Sequence, residues 1–244
     1  MGVCFNPPMT SPLNRRQFLA RTTATAAGVF LAAPYILRGQ SKLAANDRLN
    51  IGFIGTAGQA GFSIDSLKDH NLVALCDVDE TKLNAAGQRF PGAKKHRDFR
   101  RLIDQQGIDA IVVATPDHTH AVASIAALQS GRHLYCEKPL TRTVSEARIV
   151  TETARRLQRV TQIGTQIHAG GNYRRVVELV KSDAVGDIKE VHVWVNSSYG
   201  GKDKPKSGLE IPKNLDWDLW LGPVPKQDYS PDFEIGRASC RERV

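Results

Sequence analysis

The chain is poor in sulfur and in rings: four cysteines and two methionines are spread over 244 residues, and aromatics make up 7%. Cys4 and Cys240 stand near the two ends, so the body holds only Cys76 and Cys136, each at the end of an apolar run. That leaves no disulfide framework, and both are expected to be buried free thiols. No apolar run reaches the ~20 residues that span a bilayer. Residues 24–37 come nearest, and they include Pro34. His118 and His120 lack the third and fourth ligands that a structural metal wants, so no metal is expected. A basic stripe interleaved with aromatics is also missing from the body. The formal charge is +8, yet Arg15, Arg16, Arg21, Arg38 and Lys42 fall before residue 46 with no acid among them. Residues 234–244 add one more positive charge, which leaves +2 for the body. Nucleic acid is therefore not an expected partner.

What the chain does have is a short apolar run at 49–54 followed by Gly55-Thr56-Ala57-Gly58-Gln59-Ala60-Gly61. Small residues at a strand-to-helix turn let a pyrophosphate approach backbone N–H groups at the helix N-terminus. With Gly55 as the first glycine of a G-x-G-x-x-G pattern, Ala57 and Ala60 stand at the other two positions, so the match is degenerate. Asp77 strengthens it, because it ends the second apolar run, 72–76, and lies 22 residues beyond Gly55. A carboxylate there accepts the ribose hydroxyls of an adenosine and repels a 2′-phosphate, so NAD is expected and NADP disfavoured. Asp79 is the better candidate to cap the next helix.

The rhythm continues. Residues 110–114 are wholly apolar and end in Thr115-Pro116-Asp117-His118-Thr119-His120 before an alanine-rich helix. Residues 133–136 form the next run, with Glu137-Lys138-Pro139 at its C-terminal end. Strands alternating with helices imply a doubly wound parallel sheet of the Rossmann type, with ligands beyond the carboxyl ends of the strands. Gly55, Thr56, Ala57, Gly58, Gln59, Asp77, Thr115, Pro116, His118, His120 and Glu137 are the candidate cofactor contacts at that edge. Lys138 and Glu137 are the catalytic candidates. Hydride leaves a carbinol carbon only as its hydroxyl proton is lost, and an ammonium held there stabilises the developing alkoxide.

These residues resemble the Gfo/Idh/MocA oxidoreductases, over about residues 46–232. The resemblance rests on the glycine turn, Cys76-Asp77-Val78-Asp79, Thr115-Pro116-Asp117-His118-Thr119-His120 and, most specifically, Glu137-Lys138-Pro139. It implies hydride transfer to or from a sugar, polyol or cyclitol hydroxyl, with Lys138 beside the nicotinamide and on the substrate oxygen. Gln166, His168 and Tyr173 would lie near the substrate. It also implies an α/β domain with an open antiparallel sheet after residue 168, and a homo-oligomer at full length. Two other readings stand beside this one: some exported relatives are NAD-dependent glycosidases, and a non-catalytic NAD-binding protein would share the fold. The strand of that second domain is expected at 188–195, after a helix at 172–181. Trp217 and Trp220 are read as anchors that pin a loop to a core.

The two ends are read separately. Asn14-Arg15-Arg16-Gln17-Phe18-Leu19 and the mildly apolar stretch after it match a twin-arginine export signal within residues 1–45, read by the twin-arginine export machinery, with the periplasm as destination. Residues 234–244 are what a common sequencing-library adapter string encodes. The expectation is a dinucleotide-binding domain at 46–168, the truncated start of a substrate domain at 169–233, and a non-native tail.

Overall fold

The computed structural model describes residues 44–194 and 208–233. The adapter-like tail, Val195 at the end of the expected strand and all but the last two residues of the export segment lie outside the described residues.

Six strands form among the described residues: β1 (Asn50–Ile54), β2 (Asn71–Cys76), β3 (Lys94–His96), β4 (Ala110–Val113), β5 (His133–Cys136) and β6 (Thr161–Ile163). They pair in parallel in the order β3-β2-β1-β4-β5-β6. The order reverses between β1 and β4, and at such a switch point the loops at the carboxyl ends diverge and leave a crevice. The helices are α1 (Ala60–Ser66), α2 (Glu80–Arg89), α3 (Phe99–Ile103), α4 (His120–Gln129), α5 (Val144–Arg156), α6 (Gly171–Lys181) and α7 (Trp217–Leu221).

Helices cover both faces of the sheet. On one, Ile64 of α1 and Leu83 and Ala86 of α2 pack with Phe53 and Leu75. On the other, Leu102, Ala127, Leu128 and Val150 pack with Ile111 and Val113. Burial on both faces is why β1, β2 and β4 read as unbroken apolar runs. Capping fixes where the helices start. Asp79 accepts from the N–H of Thr81 at 2.9 Å and of Lys82 at 3.4 Å to begin α2, and Thr143 with Glu146 forms a capping box for α5.

Three features depart from the sequence reading. Strand β3 was not expected, since Lys94-Lys95-His96 carries no apolar residue; it is the exposed edge, where lysine is favoured because it discourages further pairing. Residues 188–194 are exposed and unpaired where a strand was expected. A strand exists only as half of a ladder, and no other described strand runs beside this one. The helix expected at 172–181 forms as α6, with none of its residues buried. The third departure is the placement of residues 214–233, assigned from sequence to a second domain. Leu215, Trp217, Trp220, Leu221 and Tyr229 make a cluster that takes in Val78 from the loop after β2, so this segment packs on the nucleotide domain. Trp217 and Trp220 stack at 4.5 Å, and the Trp217 indole donates to the Gln227 carbonyl at 2.9 Å, as loop anchors do. No helix among the described residues is long and apolar enough to cross a membrane.

Candidate functional site

The turn after β1 is shaped by Gly55. Its φ is +90°, and a Cβ there would sit 2.4 Å from the Ala114 carbonyl oxygen, so β1 and β4 approach at a spacing only glycine allows. Gly55 N–H donates to the Cys76 carbonyl at 2.8 Å. Gly58 also has a positive φ, of 60°. Together they turn the chain so that Thr56, Ala57, Gly58 and Gln59 all line one cavity of about 320 Å³. Among the described residues no acceptor takes the N–H of Ala57, Gly58 or Gln59. Thr56 is tied back instead: its N–H and its hydroxyl both donate to Asp77 Oδ2 at 2.9 Å. Asp77 Oδ1 accepts from Asp79 N–H at 3.0 Å. The Asp77 carboxylate thus stands at the tip of β2 in a fixed orientation and lines the same cavity as the turn.

This donor set fits a dinucleotide. A tight turn that only glycine allows at Gly55, three N–H groups with no internal acceptor, and an oriented carboxylate one strand away are what a pyrophosphate and a ribose diol require. Thr115 and Pro116, at the exit of β4, form the opposite wall. A larger groove of about 610 Å³ lies between α5 and strands β5 and β6, away from the glycine turn and from Asp77.

His118 and His120 are fully buried and do not line the cavity. His118 Nε2 lies 2.7 Å from the Trp220 carbonyl. The His120 ring is held between two carbonyls, with Nδ1 2.7 Å from that of Pro139 and Nε2 2.8 Å from that of Thr115. It ties the exit of β4 to the chain just past Lys138. Both histidines therefore position loops around the cleft.

Glu137 and Lys138 point to different surroundings. Glu137 is buried, and its carboxylate accepts from Ser63 at 3.1 Å, Tyr135 at 3.3 Å and the Gln166 amide at 3.1 Å. Gly164 gives it room, since a Cβ there would lie 2.5 Å from Oε2. With three donors on it, this carboxylate fastens α1 and the loop after β6 to β5. The partial burial of the neighbouring Tyr135 hydroxyl, and next the negative charge of Glu137, hold that hydroxyl above its ordinary pKa. Lys138 is exposed at the end of β5, joined to Pro139 by a cis peptide. Gln166 serves Glu137 and Tyr135, while His168 and Tyr173 stack at 4.8 Å on the exposed side. The structure thus brings the turn, Asp77, Thr115 and Pro116 into one cavity and places Lys138, His168 and Tyr173 outside it.

The segment that sequence reasoning missed is 215–233. Leu215, Leu219, Trp220, Gly222, Asp232 and Phe233 all line the cavity. The available signal was Asn214-Leu215-Asp216, a cap followed by a tryptophan-rich turn of helix, but nothing local says where it docks.

Residues 49–165 match the model of an oxidoreductase family, GFO_IDH_MocA, described as an NAD-binding Rossmann fold. An inositol 2-dehydrogenase of Rubrobacter xylanophilus is 32% identical over 155 residues, 62% of this chain and 43% of that protein. A glycosyl hydrolase family 109 protein of Shewanella putrefaciens is 27% identical over 206 residues, 72% of this chain and 44% of that protein. The crystal structure of an NAD-binding oxidoreductase from Klebsiella pneumoniae superposes with a TM-score of 0.51 at 26% identity, over 57% of this chain and 40% of that one. The chain spans less than half the length of these proteins. Residues 49–165 are thus similar to the NAD-binding Rossmann domain of this oxidoreductase family, and NAD is the cofactor that such a domain takes.

Proposed function

We propose that the protein is an NAD-dependent oxidoreductase that moves a hydride between the nicotinamide and a hydroxyl of a sugar, polyol or cyclitol. The observation that carries this reading is the common edge: Gly55, Asp77 and Lys138 stand at the carboxyl ends of β1, β2 and β5 in one parallel sheet. Ala57, Gly58 and Gln59 would hold the pyrophosphate and Asp77 the ribose. The bound dinucleotide supplies the hydride acceptor. Lys138, exposed beside that edge, would hold the substrate oxygen as its proton leaves, while His120 fixes the backbone on both sides of the gap through Thr115 and Pro139. Glu137 stays saturated and serves as a structural post. The inositol 2-dehydrogenase relative supports the substrate class. The test is reduction of NAD by inositols and by free sugars in the protein extended to the length of its relatives. Absence of reduced cofactor with every polyol and sugar offered would count against it.

A second reading has its own support, because the longest of the alignments above is to the family 109 glycosyl hydrolase. In that reading the same hydride is taken and returned, and an aglycone leaves in between. Aglycone release from a chromogenic glycoside without net reduced cofactor selects it over the first. We further place the enzyme outside the cytoplasm on the strength of Arg15-Arg16. Replacing both with lysine should strand the precursor in the cytoplasm, and unimpaired arrival in the periplasm would dismiss that route.

A further inference from the structure

Residues 214–222 run from one lip of the crevice to the other. At the β2 lip, the Asn214 carbonyl accepts from Glu80 N–H at 2.9 Å, and Asp216 N–H donates to the Val78 carbonyl at 3.0 Å. The Asn214 amide donates to Asp79 Oδ1 at 2.8 Å, and Leu215 forms an antiparallel bridge with Asp79. At the β4 lip, the Trp220 carbonyl takes His118, and the two rings lie 4.8 Å apart. Gly222 presses on Thr119, where a Cβ would come within 2.9 Å of Cγ2. Between these anchors Leu215, Leu219 and Trp220 face the same cavity as Gly55 and Asp77.

We propose that this strap is the third wall of the site for the adenosine half of the dinucleotide and that it governs how fast the cofactor leaves. The inference rests on the NAD reading above. A dinucleotide laid on the glycine turn has its adenosine ribose at the acid ending β2, and Leu215 is paired two residues beyond that acid. The strap closes this end with apolar side chains, so the adenosine half leaves only when one anchored end detaches. Both anchors are hydrogen-bonded to buried partners, Asp79 at one end and His118 at the other, which makes detachment slow compared with exit from an open crevice.

Hydrogen–deuterium exchange on the 244-residue chain, with ADP-ribose, nicotinamide mononucleotide or NAD as probes, tests this directly. ADP-ribose and NAD should slow exchange in 214–222 as well as in 55–61, and nicotinamide mononucleotide should leave 214–222 unchanged. NAD release followed by stopped flow should be about tenfold faster or more in Asn214→Ala and in Leu219→Ala, tenfold corresponding to the loss of about 1.4 kcal/mol. The exchange of β1 amides in the ligand-free variants checks that the sheet is intact, and if Asn214→Ala does not fold, Leu219→Ala decides. Protection confined to 55–61 and 77–79, or release at the parental rate in a folded variant, overturns the strap while leaving NAD binding standing. No protection by NAD anywhere in the parent removes the NAD reading and the strap with it.

Discussion

Thr56 donates twice to one oxygen of Asp77, through its N–H and through its hydroxyl, each at 2.9 Å. The glycine turn and the tip of β2 are thereby locked together before any ligand arrives, and the acid that would meet the ribose also holds the loop that would meet the phosphates. Cofactor choice and loop geometry are then coupled through one side chain.

NAD is expected to bind at least tenfold tighter than NADP, because a 2′-phosphate would meet the Asp77 carboxylate at short range. Asp77→Ser should remove most of that preference and also weaken NAD, since Thr56 loses its acceptor. Titration of both nucleotides by tryptophan fluorescence checks this, and an unchanged ratio in the variant takes Asp77 out of the ribose site.

Lys138→Ala, made in the protein at the length of its relatives, should lower turnover by about 10²–10⁴-fold with NAD affinity nearly intact, because the amine acts on the substrate oxygen. Lys138→Arg should not restore it, a guanidinium being planar, larger and unable to release a proton. Turnover close to the parent in Lys138→Ala would move the chemistry elsewhere.

The thiols of Cys76 and Cys136 are both buried, and burial raises the pKa of each, that of Cys136 to about 12. Neighbouring carboxylates add to the rise, from Asp77 for Cys76 and from Glu137 for Cys136. Neither should react with a thiol reagent at neutral pH until the domain unfolds. Mass spectrometry of alkylated peptides, with and without denaturant, reads this out, and labelling of either cysteine in the native protein contradicts it.

Asp79 sets a pH dependence. Burial raises its pKa, but the Asn214 amide, Lys82 and the Thr81 N–H together outweigh burial and leave it below the ordinary carboxylate value. Its contribution to stability is present above the unfolded value of about 3.9 and is lost as pH falls through the lower folded value. Asp79→Asn keeps a capping side chain but does not titrate. Its denaturation midpoint should fall less steeply than the parent's between about pH 5 and pH 2, and parallel curves for the two proteins would show that Asp79 does not carry the effect.

Much of this was legible from local pattern. Strands β1, β2 and β4 are buried on both faces and announce themselves as apolar runs, and Gly55 and Asp77 stand where a strand must turn and where it must end. The edge strand β3 was hidden because a strand with one neighbour and two wet faces has no apolar signature. Residues 188–194 carried the alternation of a strand and did not form one, since alternation states which side would be buried and not what it pairs with. Glu137 reads as a charge beside Lys138, and only the approach of Gly164 and the amide of Gln166 shows it to be a buried post. The docking of 214–222 was illegible for a related reason: its partners, Asp79 and His118, lie 135 and 102 residues earlier in the chain.

That separation also orders events in time. During synthesis at about 5–20 residues per second, roughly 7–27 s pass between the appearance of Asp79 and that of Asn214. The glycine turn, the acid and the β4 lip are all made in advance of the segment that closes over them. A nucleotide arriving on the nascent chain meets a two-walled slot, whereas one arriving afterwards must wait for an anchored strap to part.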